Sequence, residues 1–157
     1  MIAHGFTTER YLREVTLPAL ERGLARGGRA RSDFQLCCPL FVVSGHDDEE
    51  FAARRQAVRA QVAFYASTPA YRPVLELHGW GEVQSELNRM SKAGQWDEMG
   101  ERIDDEMLDA FAVVAPPERV ADRILERYGD LLDRTAPSFE PRNAESRRAL
   151  IERLHAG

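Results

Sequence analysis

Lysine is almost missing from this 157-residue chain: Lys92 is the single lysine among 21 basic residues, so positive charge rests on arginine. That bias follows from coding composition as readily as from bidentate anion contacts, and it assigns no function. Cysteine is scarce too. The two present, Cys37 and Cys38, are adjacent in an apolar run, where a mutual disulfide is strained and a metal ion finds no second pair of ligands. Both are expected as buried thiols. No apolar run approaches the roughly 20 residues of a membrane span, and the opening MIAHGFTTER has neither the basic region nor the apolar core of a signal peptide. A cytoplasmic protein with no membrane partner is therefore expected. A surplus of positive charge is missing as well: the net charge is -5, the isoelectric point is near 5.4, and the bases are dispersed along segments that also carry acids. Nucleic acid is excluded as an expected partner. Neither a GxGxxG string nor a P-loop pattern occurs, so a Rossmann nicotinamide site and a P-loop have no support.

What is present describes one domain over residues 1–157, with 43% apolar residues and a mean hydropathy of -0.45. A helix is expected to open at Thr7 or Thr8, to be kinked or restarted near Leu17 by Pro18, and to end at Gly27-Gly28. Phe34 to Ser44 is almost continuously apolar and β-branched towards its end, the pattern of a strand buried on both faces. Pro39 inside it removes a ladder donor and calls for an edge or a bulge. Ser44 to Asp47 reads as a strand-to-helix loop with Asp47 or Asp48 as cap, followed by a helix to about Ala66. Short helical pieces follow, with breaks at Ser67-Thr68-Pro69, at His78 to Gly81 and at Ala93-Gly94. Phe111 to Ala115 predicts a second short strand, Pro116-Pro117 a helix through Tyr128, Asp133 to Ser138 a weak third strand, and about Ala144 to His155 a closing helix. Strands alternating with helices predict an α/β chain with a parallel sheet. Ligands on such sheets sit at the carboxyl ends of the strands, where Ser44 to Asp47, Ala115 to Glu118 and the loop after Arg134 converge.

The stretch from Phe64 to Gly81, FYASTPAYRPVLELHGWG, concentrates aromatic rings, an imidazole and two hydroxyls between helical segments. A chain turn at Ser67 brings Tyr65, Tyr71 and His78 near one another, a wall suited to a flat, partly polar ligand; ordinary helix-packing anchors account for the same rings. Ser67 and Thr68 are caps first, and without a paired His-carboxylate set they are not nucleophiles. His78 ends a helix before Gly79-Trp80-Gly81, so its ring can face a cleft or bond a backbone carbonyl. His4 precedes a helix start whose amides at Thr7, Thr8 and Glu9 can hold a phosphate. Asp104-Asp105-Glu106 diverge around a helix, so no metal site is expected.

FYASTPAYRPVLELHGWG, the following QSELNRMSKAGQWDEMGERIDDEML and the earlier FTTERYLREVTLPALERGLARGGR resemble the carboxyl-terminal half of luciferase-like monooxygenases, specifically the class that uses the deazaflavin coenzyme F-420. The resemblance implies a partial (β/α)8 TIM barrel, helix-rich with about three parallel strands, where a whole barrel takes about 250 residues. In relatives the opening string commonly reads His-Pro-Phe; here it is His4-Gly5-Phe6. The resemblance sets His4 at the barrel mouth and raises Ser67, Thr68 and Tyr71 to pocket residues; with the helix-start amides and the aromatic stretch, His4, Thr7 and Thr8 are expected as cofactor-binding and Tyr65, Ser67, Thr68, Tyr71 and His78 as substrate-binding residues, with no catalytic residue assigned. Implied too is hydride transfer between F-420 and a small organic molecule. Two other readings stand beside it: a related flavin monooxygenase using FMN, and a half-barrel without catalysis that serves as a self-associating or partner-binding scaffold. An open sheet of about three strands has unpaired edges, so a homo-oligomer or association with the amino-terminal half of the barrel is expected.

Overall fold

The computed structural model describes residues 1–139 and 141–156. Thr8 opens the first helix, its hydroxyl accepting from the Tyr11 amide at 3.1 Å. The helix starts as α1 (Glu9–Tyr11), widens into a π-helical stretch over Leu12–Thr16, and continues as α2 (Leu17–Arg26). That wide turn stands just before Leu17-Pro18, where the ring removes a donor, so Pro18 is absorbed by a change of helical pitch and the chain does not break. Strand β1 (Cys37–Val43) follows. Asp47 caps α3 (Asp48–Ala66), accepting from the Glu50 amide at 2.8 Å. Past the corner at Ser67 come a 3-10 turn at Pro69–Tyr71, α4 (Arg72–Leu77) and α5 (Gly81–Lys92). A second 3-10 stretch at Trp96–Arg102 leads to α6 (Asp105–Phe111) and β2 (Ala112–Val114). The chain closes with α7 (Val120–Tyr128), β3 (Arg134–Pro137) and α8 (Ala144–His155). This is the helix-rich α/β chain with three parallel strands that the half-barrel resemblance implies.

β1 is central, in a sheet ordered β2-β1-β3. Phe41 to Val43 pair with Ala112 to Val114, and Cys37 to Leu40 with Arg134 to Pro137. Backbone groups point to alternate edges of a strand, and the bonds show which edge each partner holds. The Cys37 amide and carbonyl bond Met1 and Ala3 at 2.9 and 2.7 Å, and the Val43 carbonyl accepts from Ala115 at 3.1 Å. Residues 1–3 and β2 thus share one edge. The carbonyls of Leu36 and Leu40 face the other edge and accept from Asp133 and Ser138. Pro39 points to the first edge, in the gap between its two partners. That gap serves as the local edge which the proline calls for.

The two faces of β1 carry separate cores. Phe41, Val43 and Ala112 pack against α3, α5 and α6 through Val58, Val62, Leu87, Met107 and Leu108. Cys38, Leu40, Val42 and Val113 pack against Leu12 and against Val120, Ile124 and Tyr128 of α7. A right-handed crossover that reverses direction along a sheet also changes face. The helices obey: α3 to α6 lead from β1 to β2 on one face, and α7 leads from β2 back past β1 to β3 on the other. Burial pushes the Cys38 thiol up to about 11, in keeping with its place in the second core. Cys37 is half-buried and, like Cys38, has no disulfide.

Arginines tie these layers together. Arg127 of α7 donates to the carbonyls of Asp109, Ala110 and Ala112 at 2.8, 3.0 and 2.7 Å, capping the end of α6 where β2 begins. Arg13 grips both carboxylate oxygens of Asp130 and also holds Glu9. Replacing Arg127 by Met leaves three carbonyls short of a charged donor, and the variant is expected to lose about 2 to 3 kcal/mol in urea unfolding. Arg123, with a side chain 41% exposed and an ion pair to Glu126 at 2.8 Å, serves as the control, and its Met variant should unfold at nearly the native midpoint.

Candidate functional site

The aromatic residues singled out in the sequence gather into one surface. The His4 ring stacks on Tyr71 at 5.0 Å and meets Tyr65 edge-on at 4.9 Å, and Tyr65 and Tyr71 stand perpendicular at 6.1 Å. The His4 Nδ1 accepts from the Phe6 amide at 3.0 Å, so the neutral ring of this exposed residue carries its proton on Nε2. Beneath this wall the buried Phe6 contacts Tyr71 at 5.2 Å and stacks on Phe111 at 4.5 Å. The wall continues through Tyr65 to the exposed Phe64 and Trp96.

Among the described residues His78 makes no ring contact with Tyr65 or Tyr71, and it stands with Thr8 and Trp80 instead. Its Nε2 lies 2.8 Å from the Thr8 hydroxyl, across 70 residues of sequence. The ring stacks on Trp80 at 4.5 Å, and Trp80 reaches Phe111 at 6.4 Å. Burial, reinforced by the Arg10 charge against the weaker pull of Glu14 and Glu106, lowers the affinity of His78 for a proton. Neutral imidazole is thus the favoured form.

The remaining expected residues are placed differently. Ser67 is buried and does not cap the next helix; its hydroxyl donates back to the Phe64 carbonyl at 2.7 Å, while its own carbonyl accepts from Asn88 at 2.9 Å. Thr68 stands at the cap position of the following turn, exposed and with no side-chain cap bond. Thr7 is half-buried, with its amide donating to the Gly5 carbonyl at 3.0 Å. Asp105 is held by Arg55 and Arg59, and no group of metal-binding side chains occurs among the described residues.

A second place lies at the carboxyl ends of the strands. The three loops expected to converge there do so, around a cavity of about 520 Å³ lined by His46, Pro117, Glu118 and Phe139 together with Asp122 and Arg153. Arg153 of α8 bonds Asp122 of α7 at 2.7 Å. Gly45 lies so close to α3 that a Cβ there would stand 2.3 Å from the Phe51 amide nitrogen, so only glycine fits the turn. Just before it, the buried Ser44 hydroxyl has no hydrogen-bond partner among the described residues. The converging loops are legible from the strand pattern; Asp122 and Arg153 are not, because a pair joining two amphipathic helices leaves no local signal. The two places are well separated. The 19 residues of α3, at about 1.5 Å each, run about 28 Å from the loop after β1 back to Tyr65 and Ser67.

A depressed proton affinity makes His78 a pH sensor of folding. The unfolded chain takes up a proton near the ordinary 6.5 while the native ring resists, so stability is full above that pH and falls as the pH drops through it. A His78→Gln variant should lose this component, with its urea midpoint falling less than the native one between about pH 7 and 5.

Comparison with known proteins agrees with the sequence resemblance. The model of the luciferase-like monooxygenase family matches residues 1–135. An uncharacterised protein of Mycobacterium tuberculosis is 50% identical over 151 residues, which is 96% of this chain and 44% of that protein. The 5,10-methylenetetrahydromethanopterin reductase of Archaeoglobus fulgidus is 33% identical over 72% of this chain and 34% of its own length. The solved structure of the coenzyme F-420-dependent tetrahydromethanopterin reductase from Methanopyrus kandleri superposes with a TM-score of 0.66 at 21% identity, over 92% of this chain and 40% of that one. The chain therefore spans less than half the length of each of these relatives, and that structure supports the TIM-barrel likeness of its fold. No helix among the described residues is long and apolar enough to cross a membrane. With a family pattern running through most of its length, the chain belongs to the luciferase-like monooxygenase family.

Proposed function

We propose that this chain is the carboxyl-terminal portion of an F-420-dependent oxidoreductase acting on a small organic substrate, and that it is incomplete as an isolated half. The observation that carries the reading is the Thr8–His78 bond of 2.8 Å across 70 residues. It joins one residue expected on the cofactor side to one expected on the substrate side, while His4, Tyr65 and Tyr71 form a ring cluster of their own, linked to it through Trp80 and the buried Phe111 and Phe6. Names of relatives point the same way, among them a putative coenzyme F-420-dependent oxidoreductase of Mycobacterium tuberculosis that is 29% identical over 64% of this chain. A cytoplasmic location belongs to the same proposal.

The residues present fit a flat heteroaromatic ring. His4, Tyr65 and Tyr71 offer ring faces and edges for stacking, and the His4 Nε2 can donate to a ring or chain oxygen. The backbone at Thr7 and Thr8 lines the approach to His4. Neutral His78, held by Thr8 through Nε2, keeps Nδ1 for a proton on the substrate side. Thr68 presents an exposed hydroxyl, and Ser67 fixes the corner that sets Tyr65 against Tyr71. When bound, the coenzyme supplies the hydride chemistry. Half a barrel holds a ring from one side only, and the lost positioning is worth on the order of 7 to 11 kcal/mol of barrier. The alternatives are FMN as the coenzyme, and a self-associating or partner-binding half-barrel without catalysis.

Titration of the chain with F-420 and, in parallel, with FMN, followed by absorbance, decides among them. Weak binding of F-420, no binding of FMN and little or no turnover are expected; preference for FMN or indifference to both counts against the proposal. Tyr71→Ala should weaken F-420 binding about ten-fold or more while shifting the melting temperature little, because a wall residue contributes contact area to the ligand. Phe139→Ala, in the distant crevice, should leave binding unchanged, and the reverse result would move the ligand to the carboxyl ends of the strands.

A further inference from the structure

We infer that the sheet face carrying Ile2, Cys37, Pro39, Arg134 and Ala136 is closed by an unlike half-barrel that sets a carboxylate against Arg134, and that a second copy of this chain does not fit there. The inference rests on the proposed reading of the chain as a barrel portion.

Strand pairing defines the face. Ile2 is bridged to Cys37 and Cys37 is paired with Arg134, both in parallel. Residues paired in a parallel ladder present their side chains to one face, and every second residue returns to it. One row therefore holds Ile2, Cys37 and Arg134, and the next holds Pro39 and Ala136. Residues 1–3, β1 and β3 stand in sequence order across the sheet, as neighbouring strands of a barrel wall do. In that arrangement 92% of the chain superposes on the reductase from Methanopyrus kandleri.

Burial shows that the face is open. On the opposite side Cys38 and Leu40 are buried in the core formed with Leu12 and α7. Here Ile2, Arg134 and Ala136 are exposed and Cys37 and Pro39 are half-buried, because α3, α5 and α6 cover β1 only further along, at Phe41 and Val43. A parallel sheet is normally covered on both faces, so an occupant is missing. The open face also leads to the candidate site: His4, two residues beyond Ile2, meets Tyr65 and Tyr71.

Charge selects the occupant. Arg134 makes no ion pair among the described residues, and its neighbour Asp133, with which it borders the hollow beneath α8, is taken by Arg31 and the Leu36 amide. Enclosing an unanswered guanidinium is strongly unfavourable, so whatever covers the face has to bring a negative group. The five residues of the face include no acid. A second copy, turned about a two-fold axis along the barrel, would set Arg134 against Arg134 in one interior. It would also add only three wall segments, short of a (β/α)8 barrel. An amino-terminal half differs in sequence and supplies the missing length, since this chain spans 44% of its half-identical mycobacterial relative. Bulk points the same way: Cys37, Pro39 and Ala136 are small, so the side-chain layers that fill a barrel interior take their large members from the other half.

The test co-expresses the chain with the part of the Mycobacterium tuberculosis relative that lies outside the 151 matched residues. Association is followed by sedimentation, closure of the face by the rate at which a maleimide labels Cys37 in a Cys38→Ala background, and cofactor retention by F-420 absorbance. Cys37 should label freely in the chain alone at every concentration, and at least about ten-fold more slowly in the complex. Arg134→Glu should keep the native melting temperature yet associate at least about ten-fold more weakly. Arg134→Lys should stay near native, and one Asp or Glu to Arg replacement in the partner's strands should restore Arg134→Glu. Undiminished labelling of Cys37 in the complex, native affinity of Arg134→Glu, or failure of every such replacement overturns the inference and leaves the oxidoreductase reading intact. So does protection of Cys37 in the chain alone that rises with concentration, because a second copy then covers the face. Absence of any complex also overturns the inference, while F-420 titration of the chain alone still judges the reading. A closed complex with Cys37 protected that retains no F-420 sinks the oxidoreductase reading alone.

Discussion

The demand of β1 for partners on both edges organises the whole molecule. Leu40, Val42 and Val43 are buried, the strand is covered on both faces, and a buried backbone donor or acceptor left unpaired costs about 1 to 3 kcal/mol. Two short segments, residues 1–3 and β2, satisfy one edge in turn, and β3 satisfies the other. Everything else follows from where those partners must stand. α7 has to cross the face opposite to α3, because a reversing right-handed connection cannot stay on one side.

Where apolar packing is thin, arginine substitutes for it. Arg127, Arg13 and Arg54 each reach two or more acceptors on different elements, which uses the fork of five donors that lysine lacks. The near absence of lysine, neutral in a reading of the composition alone, thus acquires a structural consequence: helix ends and strand edges are joined by side chains that share one charge among several carbonyls.

Much of this was legible in the sequence for reasons that are local. The Asp47 cap, the end of α3 at Ala66, the break at Gly94 and the span of α8 follow from cap chemistry, turn residues and periodicity, and the structure keeps them. Three features were not legible. Pro18 signals a break, but nothing nearby announces the π-helical stretch that absorbs it. The hydroxyl at Ser67 suggests a forward cap, whereas it bonds the preceding turn at Phe64 because burial leaves that carbonyl as the acceptor in reach. The order of the strands is invisible, since pairing across 97 residues, from Cys37 to Arg134, depends on which edge is vacant and on side-chain clips such as Arg54 to Ser138. Among the site residues, proximity of Tyr65 and Tyr71 follows from the corner between them, while the Thr8–His78 bond needs the tertiary fold.

Pro39 gives the sheet a direction of growth. On the edge shared by residues 1–3 and β2 it interposes a position without an N–H, so no single uninterrupted strand can zip along that side of β1. Two short segments fit there and a long foreign one does not. The opposite edge has no such break, and the strand that covers it ends in Pro137, which likewise presents no donor outward. Unwanted pairing along β1 and β3 is therefore obstructed by proline on one flank and blunted by it on the other.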